Sequence, residues 1–155
     1  TILLGKKKRG FGAGLWNGPG GKPCVGESML DCVVRETREE FGIDLHTDDA
    51  YRTGILDFFF EAKPQWDQQV HVYRFFTYEK EPVESPEMLP REFYCKDIPY
   101  EQMWPDDRHW LPEVLAHNLV RGAFLFDENG SIAKLCMESG RSFPPRSAHP
   151  FYFSF

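Results

Sequence analysis

The sequence has few cysteines and none of the patterns that would pair them. Cys24, Cys32, Cys95 and Cys136 form no CxxC pair and have no histidine at a metal-ligand spacing. A disulfide framework and a structural zinc site are therefore both disfavoured. We interpret these cysteines as reduced thiols of a cytosolic-type compartment.

Basic excess and long apolar runs are also lacking. The 155-residue chain has a net charge of −6, which argues against a protein that coats nucleic acid. No apolar stretch is long enough to span a bilayer, so we expect no membrane contact. The chain begins at Thr1 without a methionine, and we expect its first strand to be incomplete and a segment to precede it.

Histidine clusters and internal repeats are absent as well. The five histidines are scattered, and a structural role is expected for each. In contrast, hydrophobic residues make up 41% of the chain and aromatic residues 15%, which is enough for one domain with a real core. The high aromatic content also suggests surfaces on which a ring could stack.

Residues 20–43 (GGKPCVGESMLDCVVRETREEFGI) are the most informative stretch. Ser28 followed by Asp31 predicts a helix that starts with a capping box. Gly42 predicts a left-handed residue just past the end of the helix. A core-facing stripe at helical spacing is predicted for Leu30, Val33, Val34, Thr37 and Phe41.

Three glutamates flank that stripe. Glu36, Glu39 and Glu40 are related by i,i+3 and i,i+4 steps, so their carboxylates crowd and repel one another. A hard divalent cation such as Mg²⁺, which takes oxygen ligands, would neutralise them. Arg35 lies one turn before Glu39 and can orient it. The alternative is a solvated acidic face that serves only solubility.

Glycine-rich and basic segments precede the helix. Gly20 and Gly21 allow the backbone to approach closely. The basic run at 6–9 (KKKR), followed by a glycine-rich loop at 10–14, suits the phosphate tail of a nucleotide. It is equally typical of a solvated charge run. Lys22 is a second candidate phosphate ligand.

The remaining elements follow from periodicity. β-Branched and aromatic residues predict strands, and a second helix is predicted after Pro105, with helical spacing to about Val120 and closure at Gly122. The Asn129–Gly130 pair predicts a hairpin. The predicted strands are Thr1–Gly5, Tyr51–Ala62, Gln68–Tyr78, Arg91–Cys95, Ala123–Phe126 and Ile132–Met137, with an acidic loop at 79–90.

This order predicts an α+β fold, an α/β/α sandwich around a mixed β-sheet. We expect one domain at residues 1–138 and a C-terminal tail at 139–155. The tail is rich in proline and aromatic residues, unlike a disordered segment. It is expected to pack on the protein or on a partner, outside the active site; a frayed end is the alternative.

The spacing G-x5-E-x7-R-E-x2-E-E-x-G resembles the Nudix box, the loop-helix-loop signature of the Nudix hydrolases. Thr37 departs from the pattern, which normally has a larger aliphatic residue, and we expect only a minor packing change. The segments KKRGFGAGLWNGPGGK, PVESPEM and MWPDDRHW further resemble the oxidised purine nucleoside triphosphate hydrolases of that family. The residues of the box are Gly21, Glu27, Arg35, Glu36, Glu39, Glu40 and Gly42.

This resemblance implies the Nudix fold and a set of site residues. The implied metal ligands are Gly20 (through its carbonyl), Glu36, Glu39, Glu40 and Glu87. The implied catalytic residues are Glu40, Glu39 and Arg35. The implied substrate-binding residues are Lys7 and Lys22 near the phosphates, Gly21 in the loop, Asn17, Trp104, Asp106 and Asp107 at the base, and Phe11, Phe58 and Phe60 as pocket walls.

The base-binding residues also have a physical logic. Trp104 can stack on a purine, which is worth about 1–3 kcal/mol per base. Asp106 and Asp107 are adjacent acids, so burial should raise one pKa and leave one carboxyl as a donor and one as an acceptor. The alternative is that both acids only favour the positive end of the following helix.

The implied function is Mg²⁺-dependent hydrolysis, with Mn²⁺ as a substitute, of oxidised purine (deoxy)nucleoside triphosphates such as 8-oxo-dGTP and 2-oxo-dATP. The products would be the monophosphate and pyrophosphate. One alternative is hydrolysis of an alkylated purine nucleotide or a nucleoside diphosphate derivative, and another is a catalytically silent nucleotide-binding module. We expect a monomer, no nucleic acid polymer as partner, and a cytoplasmic location that extends to the nucleus or mitochondrion.

Overall fold

Residues 1–141 are described by the computed structural model of the protein, and their contacts divide them between two units. The first unit contains residues 1–51 and 73–104, and the second contains residues 52–72 and 105–141. Ser139 and Gly140 end the last strand, and residues 142–155 of the predicted tail lie outside the described residues. In chain order the elements are β1 (Ile2–Lys7), β2 (Trp16–Asn17), α1 (Met29–Phe41), β3 (Tyr51–Phe60), β4 (Gln68–Arg74), β5 (Met88–Phe93), α2 (Asp107–Leu115), β6 (Leu119–Phe126) and β7 (Ile132–Gly140).

The first unit is built on a three-stranded antiparallel sheet in the order β2-β1-β5. Phe41 at the end of α1 forms a buried cluster with Ile43 and Met88. Gly5 on β1 admits the Phe41 ring, since a Cβ at this position would lie 2.5 Å from Phe41 Cε1. The C-terminal end of α1 is thereby packed on the sheet.

Helix α1 has the boundaries that its sequence predicts. Ser28 Oγ accepts a hydrogen bond from the Asp31 amide at 3.1 Å and donates one to the Asp31 carboxylate at 2.6 Å. Gly42 has a φ of 70°, and its amide donates to the Arg38 carbonyl at 2.9 Å. The predicted N-terminal capping box and the left-handed C-terminal glycine are both confirmed.

The buried face of α1 differs in part from the predicted stripe. Phe41 and Thr37 are buried as expected, but so are Cys32 and Glu40, whereas the other three members of the stripe are half-buried. The Thr37 hydroxyl donates to the Val33 carbonyl at 2.6 Å. The helix backbone therefore satisfies the one polar group that the departure from the Nudix pattern introduces.

The second unit contains a four-stranded sheet in the order β4-β3-β6-β7. Strands β3 and β6 are parallel and β6 and β7 are antiparallel, so the sheet is mixed, as predicted. Its core is a buried cluster from β3, α2 and β6: Leu56, Val114, Val120, Phe124 and Phe126. The α+β class is confirmed, with the strands divided between two sheets.

The predicted end of the second helix is wrong. Helix α2 ends at Leu115, His117 follows in a left-handed conformation with φ 66°, and β6 begins at Leu119. Val120 is fully buried and pairs with Gly54 of β3, and Gly122 lies inside the strand. Parallel pairing with a distant strand thus decides the conformation of residues whose spacing also fits a helix.

The terminal hairpin is confirmed and β5 is longer than predicted. Asp127 Oδ1 accepts hydrogen bonds from the amides of Asn129 and Ser131, and Gly130 has a φ of 78°. Strand β5 begins at Met88, three residues before the predicted start. Among the described residues, no helix is long and apolar enough to cross a membrane.

Candidate active site

Arg35 connects helix α1 to the loop before it. Its Nε and Nη2 atoms donate to the two carboxylate oxygens of Glu27 at 2.8 and 2.9 Å. Its Nη1 donates to Glu36 at 2.7 Å and to Glu39 at 3.3 Å, and Nη2 reaches the Lys22 carbonyl at 3.4 Å. The predicted orientation of Glu39 by Arg35 is confirmed, and the loop is fixed by the same guanidinium.

Glu27 is the loop side of this connection. The Arg35 guanidinium, with a further hydrogen bond from the Cys24 amide, lowers the pKa of Glu27 to about 2. Glu27 is therefore ionised throughout the physiological pH range. Because the fork of Arg35 matches both carboxylate oxygens, the pair has a defined geometry as well as an attraction.

The two loop glycines lie against the glutamates of α1. The Gly20 amide donates to Glu40 Oε2 at 3.0 Å. A Cβ at Gly21 would lie 2.4 Å from Glu36 Oε1, so a side chain there would force this carboxylate to move. The predicted close approach of the backbone is confirmed at Gly21, whereas a Cβ at Gly20 would have no atom within 4 Å.

Glu40 is the most buried acid of the set, with 2% of its surface exposed. Its Oε1 lies 3.5 Å from Lys7 Nζ. Burial raises the pKa of Glu40 above its ordinary value, while the Gly20 amide and the charge of Lys7 oppose that rise. A carboxyl group with a raised pKa binds a proton more readily than an exposed one, and in its charged form it is stabilised by a nearby positive charge.

The acidic loop carries the remaining predicted ligand, Glu87. Its carboxylate forms an ion pair with Arg9 at 2.5 Å, and this charge lowers the pKa of Glu87. Ser85 Oγ accepts hydrogen bonds from the Glu87 and Met88 amides at 3.2 and 3.0 Å. The position of Glu87 is thus set by the loop backbone and by a basic residue next to β1.

The donor set suits a hard divalent cation, because it consists of carboxylates, three on α1 and one in the acidic loop, and Gly21 leaves space for that of Glu36. Within residues 1–141, however, no three acidic, histidine or cysteine side chains converge closely enough to hold a metal ion. Basic side chains balance the carboxylates instead: Arg35 at Glu36 and Glu39, Lys7 at Glu40, and Arg9 at Glu87. The chemistry of the residues fits a metal, which would bind carboxylate oxygens beside these basic side chains.

An aromatic surface also belongs to the first unit. Phe11 and Trp104 stack with ring centroids 4.8 Å apart. A Cβ at Gly12 would lie 3.1 Å from the Trp104 ring, so the loop backbone packs against the indole. Asn17 is placed on β2, where it pairs with Gly5. The structure thus brings Phe11 and Trp104 together as one surface.

The other predicted base-binding residues belong to the second unit. Phe58 and Phe60 pack on Phe124 and Phe126, with centroids 5.6 Å and 5.0 Å apart across paired strands. Asp106 and Asp107 are both nearly fully buried at the start of α2.

Asp106 stands at the N-cap position of α2, but its side chain makes no capping hydrogen bond. The carboxylate instead accepts a hydrogen bond from Trp110 Nε1 at 2.9 Å. Burial raises the pKa of Asp106, and the Trp110 hydrogen bond and the charge of His109 oppose the rise. The carboxyl group can therefore carry a proton at a higher pH than an exposed aspartate.

The sequence indicated most of the acidic site residues, but not the side chains that form hydrogen bonds and ion pairs with them. Trp110 lies four residues after Asp106, a spacing that brings two side chains together on a helix. Ser85 lies two residues before Glu87, and a serine there is typical of a local turn. Arg9 was included only in a charge run, and nothing local could have paired it with Glu87.

Known proteins resemble this chain over most of its length. The NUDIX domain matches residues 1–114. The chain is 38% identical over 142 residues to a mouse oxidized purine nucleoside triphosphate hydrolase, covering 92% of this chain and 89% of that protein. It is 41% identical over 133 residues to the zebrafish protein of the same name, covering 86% and 83% of the two chains.

A solved structure agrees with these relatives. The crystal structure of a MutT protein from Bacillus halodurans superposes with a TM-score of 0.72 at 29% identity, covering 88% of this chain and 89% of the other. The domain match alone spans well over half of the chain. The chain therefore belongs to the Nudix family.

Proposed function

We propose that this chain is a Mg²⁺-dependent pyrophosphohydrolase of oxidised purine (deoxy)nucleoside triphosphates, 8-oxo-dGTP and 2-oxo-dATP among them. Nudix hydrolases generally use divalent metal ions and act on small-molecule nucleotides. One water cleaves the bond between the α- and β-phosphates and gives the monophosphate and pyrophosphate. The oxidised purine as substrate is supported by the names of the mouse and zebrafish relatives.

The network around Arg35 is the observation that carries the hydrolytic part. It fixes the loop on α1 and holds Glu36 and Glu39 beside the buried Glu40. Glu36, Glu39, Glu40 and Glu87, with the Gly20 carbonyl, are the proposed ligands. A bound Mg²⁺ would neutralise phosphate charge and lower the pKa of a water, with Mn²⁺ as a substitute.

The protein groups have separate proposed roles. Glu40 is the proposed proton acceptor or, alternatively, a ligand that would hold the metal. Arg35 keeps Glu39 oriented. Lys7, 3.5 Å from Glu40, and the exposed Lys22 contribute positive charge for the phosphates. This local positive charge offsets the net charge of −6, which by itself would repel a triphosphate.

The base-binding part rests on aromatic and acidic groups. Trp104 and Phe11 offer a stacking surface, with Asn17, Phe58 and Phe60 as further proposed contacts. The raised pKa of Asp106 favours a protonated carboxyl that donates, while Asp107 accepts. A donor and an acceptor side by side can match more than one purine edge, which suits a range of oxidised purines.

The deciding experiment is a substrate profile with and without Mg²⁺. Pyrophosphate and phosphate release are measured for 8-oxo-dGTP, 2-oxo-dATP, dGTP, dATP and N6-methyl-dATP. We expect pyrophosphate, strict metal dependence and the highest kcat/KM for the oxidised purines. Preference for the methylated purine or for a nucleoside diphosphate derivative would contradict the substrate, and binding without any pyrophosphate would indicate a silent binding module.

Substitutions then test the base-binding residues. Asp106→Asn and Asp107→Asn should each change the ranking of oxidised guanine against oxidised adenine by about ten-fold, since a lost hydrogen-bond partner leaves a polar group unpaired. The matched control is Glu113→Gln on the same helix, whose carboxylate bonds Asn118. Equal losses for every purine would show that the aspartates act on the helix and not on the base.

A further inference from the structure

The basic run at 6–9 has protein partners along its whole length. Lys6 Nζ lies 6.0 Å from the Trp16 ring centre, and Lys7 pairs with Glu40. Lys8 forms an ion pair with Glu84, and Arg9 pairs with Glu87. Each cation of the run therefore has a protein group close to it, although Lys8 and Arg9 remain exposed to solvent.

Lys8 and Arg9 both contact residues 84–87 of the acidic loop. The Lys8 amide donates to the Glu87 carbonyl at 2.8 Å, which continues the antiparallel pairing of β1 with β5 by one step. Lys8 Nζ also donates to the Ser85 carbonyl at 2.7 Å. Together with the Arg9–Glu87 ion pair, these bonds connect both the backbone and the carboxylate of the loop to the end of β1.

The loop itself is short and internally bonded. The Ser85 amide donates to the Met88 carbonyl at 2.9 Å, and Ser85 Oγ accepts from the Glu87 and Met88 amides. Such a turn fixes its own shape but not its position. Its ends are held by the Val83 amide, which donates to the Phe41 carbonyl at 2.8 Å, and by the pairing of Met88 with Lys7. Between these ends, Lys8 holds the Ser85 carbonyl and Arg9 holds the Glu87 carboxylate.

We propose that Lys8 and Arg9 are positioning residues that fasten the acidic loop to β1 and set the place of the Glu87 carboxylate. The inference rests on the proposed role of Glu87 as a metal ligand. Ligating carboxylates are commonly oriented by an outer hydrogen-bond partner, and Arg9 engages one oxygen of Glu87. Lys8 and Arg9 thus act on the metal site through the loop, and not on the triphosphate.

The experiment uses Lys8→Met and Arg9→Met, which keep the apolar stem and remove the charge. Amide exchange at Ser85, Glu87 and Met88 should accelerate by roughly five-fold, the ceiling for one exposed ion pair. The affinity for Mn²⁺ alone, by titration calorimetry, should weaken by a similar factor. The nucleotide KM at saturating Mg²⁺ should stay unchanged, and Arg9→Lys should restore both readouts.

The matched control is Lys80→Met, at the start of the same loop. Lys80 forms an ion pair with Asp44 and is 64% exposed, like Arg9, and this ion pair lies outside residues 84–88. It should alter neither exchange in 84–88 nor Mn²⁺ affinity. A shift as large as that of Arg9→Met would show a general charge effect and overturn the inference.

Glu87→Gln separates this inference from the proposed function. It should weaken Mn²⁺ binding, and Arg9→Met should add nothing in its background. Additive losses, tighter Mn²⁺ binding by Arg9→Met, or a ten-fold rise in nucleotide KM with unchanged exchange would each overturn the positioning role alone. Unchanged Mn²⁺ affinity in Glu87→Gln would overturn the ligand role of Glu87, and the inference with it.

Discussion

Helix α1 and helix α2 both carry acidic residues with proposed functional roles, but their surroundings differ. The loop side of α1 is a network of charges, in which Arg35 lowers the pKa of Glu27. At the start of α2 the acidic side chains are buried, and burial raises the pKa of Asp106. Acids beside cations stay ionised and can attract a metal or hold a loop, whereas a buried acid can keep a proton and donate it.

The two helices also differ in the groups that cap their ends. Helix α1 has a serine cap at its start and Gly42 at its end, both supplied by local sequence. Helix α2 has no side-chain capping hydrogen bond at Asp106 and ends before His117, a non-glycine residue at positive φ. The start of α2 therefore lacks the side-chain cap that α1 has. Its end is closed by backbone hydrogen bonds, because the His117 and Asn118 amides donate to the Val114 and Glu113 carbonyls at 3.1 and 2.9 Å.

The largest effect is expected where the two environments meet, at Glu40, which is buried and also paired with Lys7. Glu40→Gln keeps the shape and an acceptor for the Gly20 amide but removes the charge. Turnover should fall by roughly two orders of magnitude or more, since loss of a positioned acid or base commonly costs that much. Kinetics at saturating Mg²⁺ test this, with circular dichroism to show that the fold is kept. Near-normal turnover would refute the role given to Glu40.

Arg35 should show the next largest effect, because it is the centre of the charge network. Arg35→Lys keeps the charge but cannot reproduce the fork to Glu27 while also reaching Glu36. We expect kcat/KM to fall by about ten- to hundred-fold, as for other outer partners of metal ligands.

The control for Arg35 is Arg38→Lys on the same helix. Arg38 pairs with Asp44 at 2.6 Å and is largely exposed. It should change kcat/KM little. If both substitutions cost the same, the fork geometry of Arg35 would have no special part in the site.

A smaller effect is expected from the end of α1. A non-glycine residue in the left-handed conformation costs about 1–2 kcal/mol. Gly42→Ala should destabilise the protein by more than this, because the added Cβ would lie 2.4 Å from Val83 Cγ2. Gly14→Ala is the control, with a φ of 89° and no atom within 4 Å of the added Cβ. Urea denaturation compares the two. Equal losses would mean that Val83 moves aside without cost.

These features show how far the sequence could predict the molecule. Ser28, Asp31 and Gly42 act within one turn of the chain, so the boundaries of α1 were predicted correctly. The pairing of Val120 with Gly54 joins distant residues, and nothing near Val120 marks it as a strand residue. The end of α2 was therefore predicted wrongly.

The same division applies to the candidate site. The contact between Arg35 and Glu39 is four residues apart and was predicted. The contact between Lys8 and Ser85 spans 77 residues, and only the pairing of β1 with β5 creates it. Pattern could identify the acidic and basic segments, but it could not show that each neutralises the other.

The smallest effect is a difference in pH dependence, which tests the comparison between charge and burial directly. The pKa of Asp106 is raised above its ordinary value of 3.8, so the folded state holds this proton more tightly than the unfolded state. Its contribution to stability is then greatest at low pH and is lost as the pH rises from about 3.8 through the raised pKa. Asp106→Asn keeps an acceptor for Trp110 and removes this loss.

Asp44→Asn should show the opposite sign. Lys80 and Arg38 lower the pKa of Asp44, so its contribution is present above pH 3.8 and disappears as the pH falls through the lowered value. Free energies of unfolding between pH 3 and 8 give the difference between each variant and the parent protein. For Asp106 the difference should grow in favour of the variant with rising pH, by at most about 1.4 kcal/mol per pH unit. Parallel curves for the two variants would mean that burial and charge do not treat these aspartates differently.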